Sequence, residues 1–532
     1  MEHKWKQFLL LNILIIFTQL VGAQNADLIL TNGKIFTSKP EQLYEQAIAI
    51  KGNNIIAVGS NSEISALANK NTKQIDLKGK TVVAGFNDAH DHLGWTASVG
   101  VWYHYSEMAV SGPTLEAVLD SVSRLRKTAA KEQWITGFIG LTVLHDPNIR
   151  HLLDSVCPDH PVFLRTWWGH GEVANTKVFN LLHITDHTPN PVGGWFEKDQ
   201  TGHLTGSIYE HAQMPFLQAW LMSEPDNLVK ALRTYAHEQL QFGITTVQNM
   251  NSMLDADATY RIFKLANLPV RTRIVVWPFS STKGLDVASW KKLNTQVTSS
   301  TYISGIKLLV DGTPFEQIAM MKKPYDSVRN WRGRMDLPKE ELRKLLTNAL
   351  NTHTQLMLHI VGDSTLAIVI KLMEEIATPE QWINNRVRLE HNSTRLTTQE
   401  ELEHLNRMGV VMMHTPVYGR GSYLQSHIRT GLRVGISPDG VMNPFVNIMI
   451  ITSQMTNPEE NLTREQAVIA YTHTNAFAEF TEKQKGILAP GMVADIAVLS
   501  QDIFTIPAQQ LPATKSVMTI INGKIVYQES IK

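Results

Sequence analysis

His90 and His92 close an apolar stretch, Thr81-Val-Val-Ala-Gly-Phe-Asn-Asp-Ala-His-Asp-His92, and the two imidazoles stand two residues apart. On a strand, residues i and i+2 share a face, so both rings point one way while Asp91 points the other. Neutral imidazole nitrogen is the commonest protein ligand for zinc, and two ligands on one rigid strand lose little conformational freedom when an ion binds. Further donors end separate apolar runs later in the chain: Lys307 within 303–310, His359 closing 355–359, His391 closing 386–391 and Asp439 after 433–438. A divalent ion held by such groups lowers the pKa of water, and Asp439 can take the remaining proton and pass it to a departing nitrogen. The expected chemistry is hydrolysis of a carbon–nitrogen bond outside ordinary peptides, with Asp439, His391 and Lys307 as the reacting groups.

Donors so far apart along the chain meet only if the elements between them fold them together. Helix-like stretches at 339–351, 364–377 and 398–408 separate the apolar runs, and such alternation argues for a parallel sheet. A parallel sheet closed into a barrel gathers functional groups at the carboxyl ends of its strands. The runs 81–88, 244–249, 270–276, 303–310, 355–359, 387–391, 410–414 and 433–439 supply eight such strands. The expected fold class is α/β, a (β/α)8 TIM-like barrel over 81–484. Its long segment 93–242, with helical stretches at 114–131 and 227–241, reads as an insertion after the first strand, placed where barrel enzymes vary substrate choice. Near the two ends, 26–36, 47–58, 494–499 and 517–527 read as strands with Asn-Gly or Gly-Asn turns. Segments 24–80 and 485–532 are expected to build one small β-sandwich.

Several pieces occur together in one order: Gly85-Phe-Asn-Asp-Ala-His-Asp-His92, Ile306-Lys-Leu-Leu-Val-Asp-Gly312, His359-Ile-Val-Gly-Asp363, Arg388-Leu-Glu-His391, Ser437-Pro-Asp439 and Gly486-Ile-Leu-Ala-Pro-Gly-Met-Val-Ala-Asp495. With Gly169-His-Gly-Glu-Val-Ala-Asn175 and Gly202-His-Leu-Thr-Gly206, this set resembles the amidohydrolase superfamily in its family-3 branch of metal-dependent hydrolases. The resemblance implies one or two divalent ions, zinc being the default for an imidazole-rich site. It implies that His90, His92 and Asp439 hold one ion and His359 and His391 the other, bridged by a carbamate on Lys307. A buried lysine that loses its proton can add carbon dioxide, which reverses the sign of its charge. The alternative is an ordinary lysine paired to Asp311 or another acid beside a single metal. The chain departs from the branch at Pro438, where serine is usual, and at Thr313-Pro-Phe-Glu-Gln317, which replaces a segment containing arginine.

Substrate contacts are assigned to His170, Trp95 and Asp311. Trp95, Trp102, Tyr103, Trp167 and Trp168 form either an apolar wall for an acyl or aryl group or core packing within the insertion. The expected substrate is a small-molecule amide, N-acyl, N-formyl or cyclic. Two other classes stay open at this point: a mononuclear deaminase or related heterocycle hydrolase, and a non-catalytic binding protein on the same fold.

Composition is that of an ordinary globular chain, with 43% hydrophobic and 18% charged residues in 532. Lys+Arg 49 balances Asp+Glu 49, so no long-range attraction to nucleic acid is expected. Lys4 and Lys6 precede an apolar run, 8–20, and Val21-Gly-Ala23 offers a cleavage site, so 1–23 reads as a signal peptide and the protein as exported, periplasmic or extracellular. The run is shorter than the roughly 20 residues that span a bilayer, and no stable membrane insertion is expected after its removal. Cys157 is the single cysteine, so stability must come from packing and bound metal rather than intrachain disulfides. Homo-oligomer formation is left open.

Overall fold

A computed structural model describes residues 25–93, 99–102, 109–250, 253–278, 293–326, 330–391, 397–418, 423–440 and 443–529. The expected signal segment, Trp95 and Tyr103 lie outside them. Eight strands follow one another around a parallel sheet: β1 Phe86–Asp91, β2 Ile244–Asn249, β3 Arg271–Val276, β4 Thr301–Leu309, β5 Leu356–His359, β6 Arg388–Glu390, β7 Val411–His414 and β8 Arg433–Ile436. Every neighbouring pair is parallel. Strands such as β5 are buried along their whole length, as a parallel sheet covered by helices requires. The covering helices carry the matching stripe: Lys339–Asn351 buries Leu342, Leu345, Leu346 and Ala349, an i, i+3, i+4, i+7 set.

No ladder among the described residues joins β8 to β1; side chains close the gap. Asn475 Nδ2 donates to Asn87 O at 2.7 Å on one side and to Ile436 O at 2.8 Å on the other. Ser437 Oγ accepts the His90 amide at 2.7 Å, and the Asp439 amide reaches His90 O at 3.2 Å. The barrel interior is polar as well. Arg388, with no exposure, donates to Gln248 Oε1 at 2.6 Å, and Arg273 donates to Gln355 Oε1 at 2.8 Å.

The sequence reads 81–88 as one barrel strand, but the structure divides it at Gly85. Thr81–Ala84 joins a six-stranded sheet with Lys34–Phe36, Tyr44–Glu45, Ile496–Leu499, Ser516–Ile521 and Lys524–Gln528. Gly85 is where the chain crosses into the barrel, and a Cβ there would lie 2.2 Å from Thr245 Oγ1. A four-stranded sheet of Leu28–Thr31, Ala47–Lys51, Asn54–Gly59 and Lys73–Asp76 shares a core with the six-stranded one through Leu30, Ile48, Val82, Ile496 and Ile520. Between β1 and β2, the segment predicted mainly from its helices also carries a six-stranded sheet, from Val101–Trp102 to Leu204–Glu210. Helices Leu115–Arg126 and Pro225–Leu240 match the two helical stretches read there. Among the described residues no helix is long and apolar enough to cross a membrane.

Asn475→Leu removes one donor from two buried carbonyls at once. It should destabilise the protein by about 2–4 kcal/mol, since each buried acceptor left unmet costs roughly 1–3 kcal/mol. Scanning calorimetry checks this, and an unchanged transition would mean that the β8–β1 gap does not depend on Asn475.

Candidate metal centre

The carboxyl ends of the barrel strands bring most of the predicted donors to one place. His90 on β1, His391 one residue past β6, and Asp439 beyond β8 offer ligand atoms that all lie within 4.8 Å of one another. Asp439 Oδ1 stands 3.7 Å from His90 Nε2 and 3.5 Å from His92 Nε2, while its Oδ2 stands 3.7 Å from His391 Nδ1. Donors bound at roughly 2.0–2.3 Å around a tetrahedral ion are separated by about 3.3–3.8 Å, so these spacings fit one. The rings continue as a row. Centroids of His92 and His90 are 5.3 Å apart, His90 and His391 4.5 Å, His391 and His359 4.6 Å, and His359 and His170 4.8 Å.

Electrostatics keep this row unprotonated. Burial pushes His90 and His391 well below the usual imidazole range, helped by Lys307 and by each ring's neighbours. Burial, with Lys307, brings His92 down to about 3, and burial, with His391, lowers His359 far as well. Each ring therefore offers a lone pair. His359 Nε2 is buried without a hydrogen-bond partner, an unusual state for a buried polar atom and one that a cation would relieve. Lys307, 2% exposed, has Nζ 3.2 Å from His90 Nε2 and forms no ion pair among the described residues, and burial draws its pKa down to about 8. Burial raises Asp439 to about 7 against the pull of Lys307.

A surrounding layer fixes the donors. His90 Nδ1 donates to Glu390 Oε2 at 2.6 Å, which leaves Nε2 to face Asp439 and Lys307. Glu390 is in turn held by Arg388, at 2.7 Å and 3.0 Å. His170, in the insertion, is turned by Glu210 through contacts of 2.9 Å and 3.1 Å. His391 and Asp439 both adopt left-handed backbone, with φ of 66° and 50°, a conformation that costs non-glycine residues energy and clusters at functional sites. Tyr418 Oη donates to Asp439 O at 2.7 Å.

The donors open into a cavity of about 740 Å³, within the range of small-molecule sites. His92, Lys307, His359, His391 and Asp439 line it together with His170, Trp167, Trp168, Phe315, Tyr418 and Trp277. Asp311 is not among the lining residues, contrary to its predicted contact with substrate. Its buried carboxylate accepts the amides of Val361 at 2.9 Å and Gly362 at 2.8 Å and the Thr365 hydroxyl at 2.7 Å. Those bonds tie the loop after β4 to the start of helix Asp363–Ile376, and the alternative Lys307–Asp311 pair does not form. Trp95 lies outside the described residues. Trp167 and Trp168 line the cavity, whereas Trp102 packs against the hydrophobic core. The roles of Glu390, Arg388 and Glu210 escaped the sequence reading. The i, i+2 spacing of Arg388 and Glu390 on one strand was the available signal for the first two, whereas nothing local marks Glu210.

Comparison with known proteins identifies the family. The profile described as Amidohydrolase family matches residues 73–527. An N-substituted formamide deformylase of Arthrobacter pascens is 24% identical, over 95% of this chain and 99% of that enzyme. A metal-dependent hydrolase structure from Pyrococcus horikoshii superposes with a TM-score of 0.68 at 20% identity, over 91% of this chain and 99% of that one. Atrazine chlorohydrolase from Arthrobacter aurescens, solved with zinc, gives 0.55 at 15% identity, over 94% and 95%. The two structural likenesses speak to the fold.

Glu390→Gln takes the anionic acceptor from His90 and leaves Arg388 without its counter-charge. Zinc affinity, measured by competition with a chromogenic chelator, should fall about 10–100-fold, the usual cost of losing such a partner. Glu374→Gln, at an exposed contact with His404, serves as the control and should leave it unchanged.

Proposed function

The chain belongs to the amidohydrolase family, and we propose that within this family of hydrolases it is an exported enzyme cleaving a small non-peptide amide, N-acyl, N-formyl or cyclic. The observation that carries the reading is the meeting of His90, His92, His391 and Asp439, with Lys307 and His359 beside them, all but the fully buried His90 lining one cavity. A bound divalent cation, zinc by the chemistry of the donors, supplies Lewis acidity toward the carbonyl oxygen and acidifies water.

The chain's own groups do the rest. Asp439 stands at the centre of the donors, takes the proton of the attacking water and returns it to the departing nitrogen. Its backbone, held by His90 O and Tyr418 Oη, keeps that carboxylate on the reacting side of the cavity. His170, turned by Glu210, meets the substrate from the insertion. Lys307 carries a carbamate in this reading, supported by its burial with no ion pair among the described residues. One observation favours the other reading, a single ion beside an unmodified lysine: among the described residues, the barrel's group of three mutually close ligand atoms is His90, His391 and Asp439. Export rests on Lys4, Lys6, the apolar run 8–20 and Val21-Gly-Ala23.

The purified protein should contain stoichiometric metal and, supplied with zinc or manganese, hydrolyse members of a panel of N-formyl, N-acyl and cyclic amides. Asp439→Asn should lower kcat by about 10²–10⁴-fold. Lys307→Ala should lose both metal and the carbamate increment in intact mass recorded under carbon dioxide. Metal-free protein that stays inert after reloading would overturn the reading, and ammonia released from a heterocycle would replace it with deamination.

A further inference from the structure

Four aromatic rings from three separate segments meet on one side of the cavity. Trp167 and Trp168 follow the insertion strand Val162–Thr166, Phe315 follows β4, and Tyr418 follows β7. Trp167 stacks with Tyr418 at 20° and 6.1 Å between centroids, meets Trp168 edge-on at 5.2 Å, and has Phe315 at 5.6 Å, the distance that also separates Phe315 from Trp168. All four are part-exposed and line the cavity that holds Lys307, His359, His391 and Asp439.

Their polar edges are already committed elsewhere. Trp167 Nε1 donates to Ala109 O at 3.2 Å, Trp168 Nε1 donates to Glu316, and Tyr418 Oη donates to Asp439 O at 2.7 Å. Glu316 is fixed from its other oxygen by Thr313. The rings are thus anchored in orientation, and what they offer the cavity is apolar carbon and π-face.

We propose that this wall is a subsite for an aromatic ring borne on the nitrogen of the scissile amide. The side is set by Tyr418, whose hydroxyl grips the backbone of Asp439 while its ring stacks on Trp167. The residue whose carboxylate returns the proton to the leaving nitrogen is therefore tied through its backbone carbonyl to the residue that starts the aromatic wall. A ring attached to that nitrogen through a short link falls on the stack, whereas the acyl group points toward His170 and His359. Edge-on and offset contacts with a seated ring add to the burial of its surface. This rests on the hydrolase reading above.

The test compares kcat/KM for N-(2-phenylethyl)formamide and N-ethylformamide, which differ only by the ring. Zinc-loaded wild type should favour the first by about 10–100-fold, in the range that apolar pockets discriminate. Trp167→Leu and, independently, Phe315→Leu should each cut that ratio by about tenfold, while Trp167→Phe, which restores a ring, should keep it within about threefold. A ratio unchanged in both leucine variants would overturn the subsite. A ring preference carried instead by N-ethyl-3-phenylpropanamide, and lost in the same variants, would overturn its assignment to nitrogen. If no amide is turned over, the hydrolase reading is what fails, and calorimetric binding then decides the subsite. Tighter binding of 2-phenylethylamine than of ethylamine, abolished by Trp167→Leu, would support it, and equal binding would overturn it.

Discussion

Glu390 sits inside the barrel with no exposure to solvent, and a carboxylate there costs several kcal/mol unless its charge is met on the spot. Arg388 meets it from two residues away on the same short strand, and His90 meets it from the first strand. This one buried arrangement fixes the ring plane and tautomer of His90. It links β6 to β1 through the barrel interior, and the Arg388 contact with Ala89 O, at 2.8 Å, adds a backbone tie between the same two strands. Removing either charge leaves the other stranded, so the interior and the site above it are held by the same bonds.

The donors themselves were legible because barrel physics writes them plainly. A strand buried on both faces reads as an apolar run, and a histidine or lysine near its end stands out against that run, as with His359 in Leu356–His359 and Lys307 in Thr301–Leu309. Less legible were features that depend on contacts far apart in sequence. Gly85 looks like an ordinary member of an apolar strand, and only the approach of Thr245 makes it the point where one sheet ends and another begins. Asp311 looks like a free acid after a turn, yet amides from the next loop enclose it. In the insertion, the helices announce themselves by their stripe, while strands such as Gly171–Ala174 are short and buried on both faces, with no alternation to find.

Glu210 marks the limit of local reading. Its φ of 52°, its burial and its grip on His170 all follow from the insertion sheet folding against the barrel loops. The same packing turns Trp167 and Trp168 toward the cavity instead of into a core of their own. The insertion therefore contributes two kinds of group to the pocket, one polar and one aromatic, from the residues between two adjacent strands of its sheet, Val162–Thr166 and Gly171–Ala174.

The shared sheet of the two chain ends also governs the order in which the molecule can be completed on the ribosome. Thr81–Ala84 has Lys34–Phe36 along one edge and Ile496–Leu499 along the other. Synthesis proceeds at about 5–20 residues per second, so the second edge waits tens of seconds for its neighbour. Over that interval an apolar edge that is fully covered in the finished molecule stays open to any passing strand, including one from another nascent copy. The interval ends only when Ile496–Leu499 has been made.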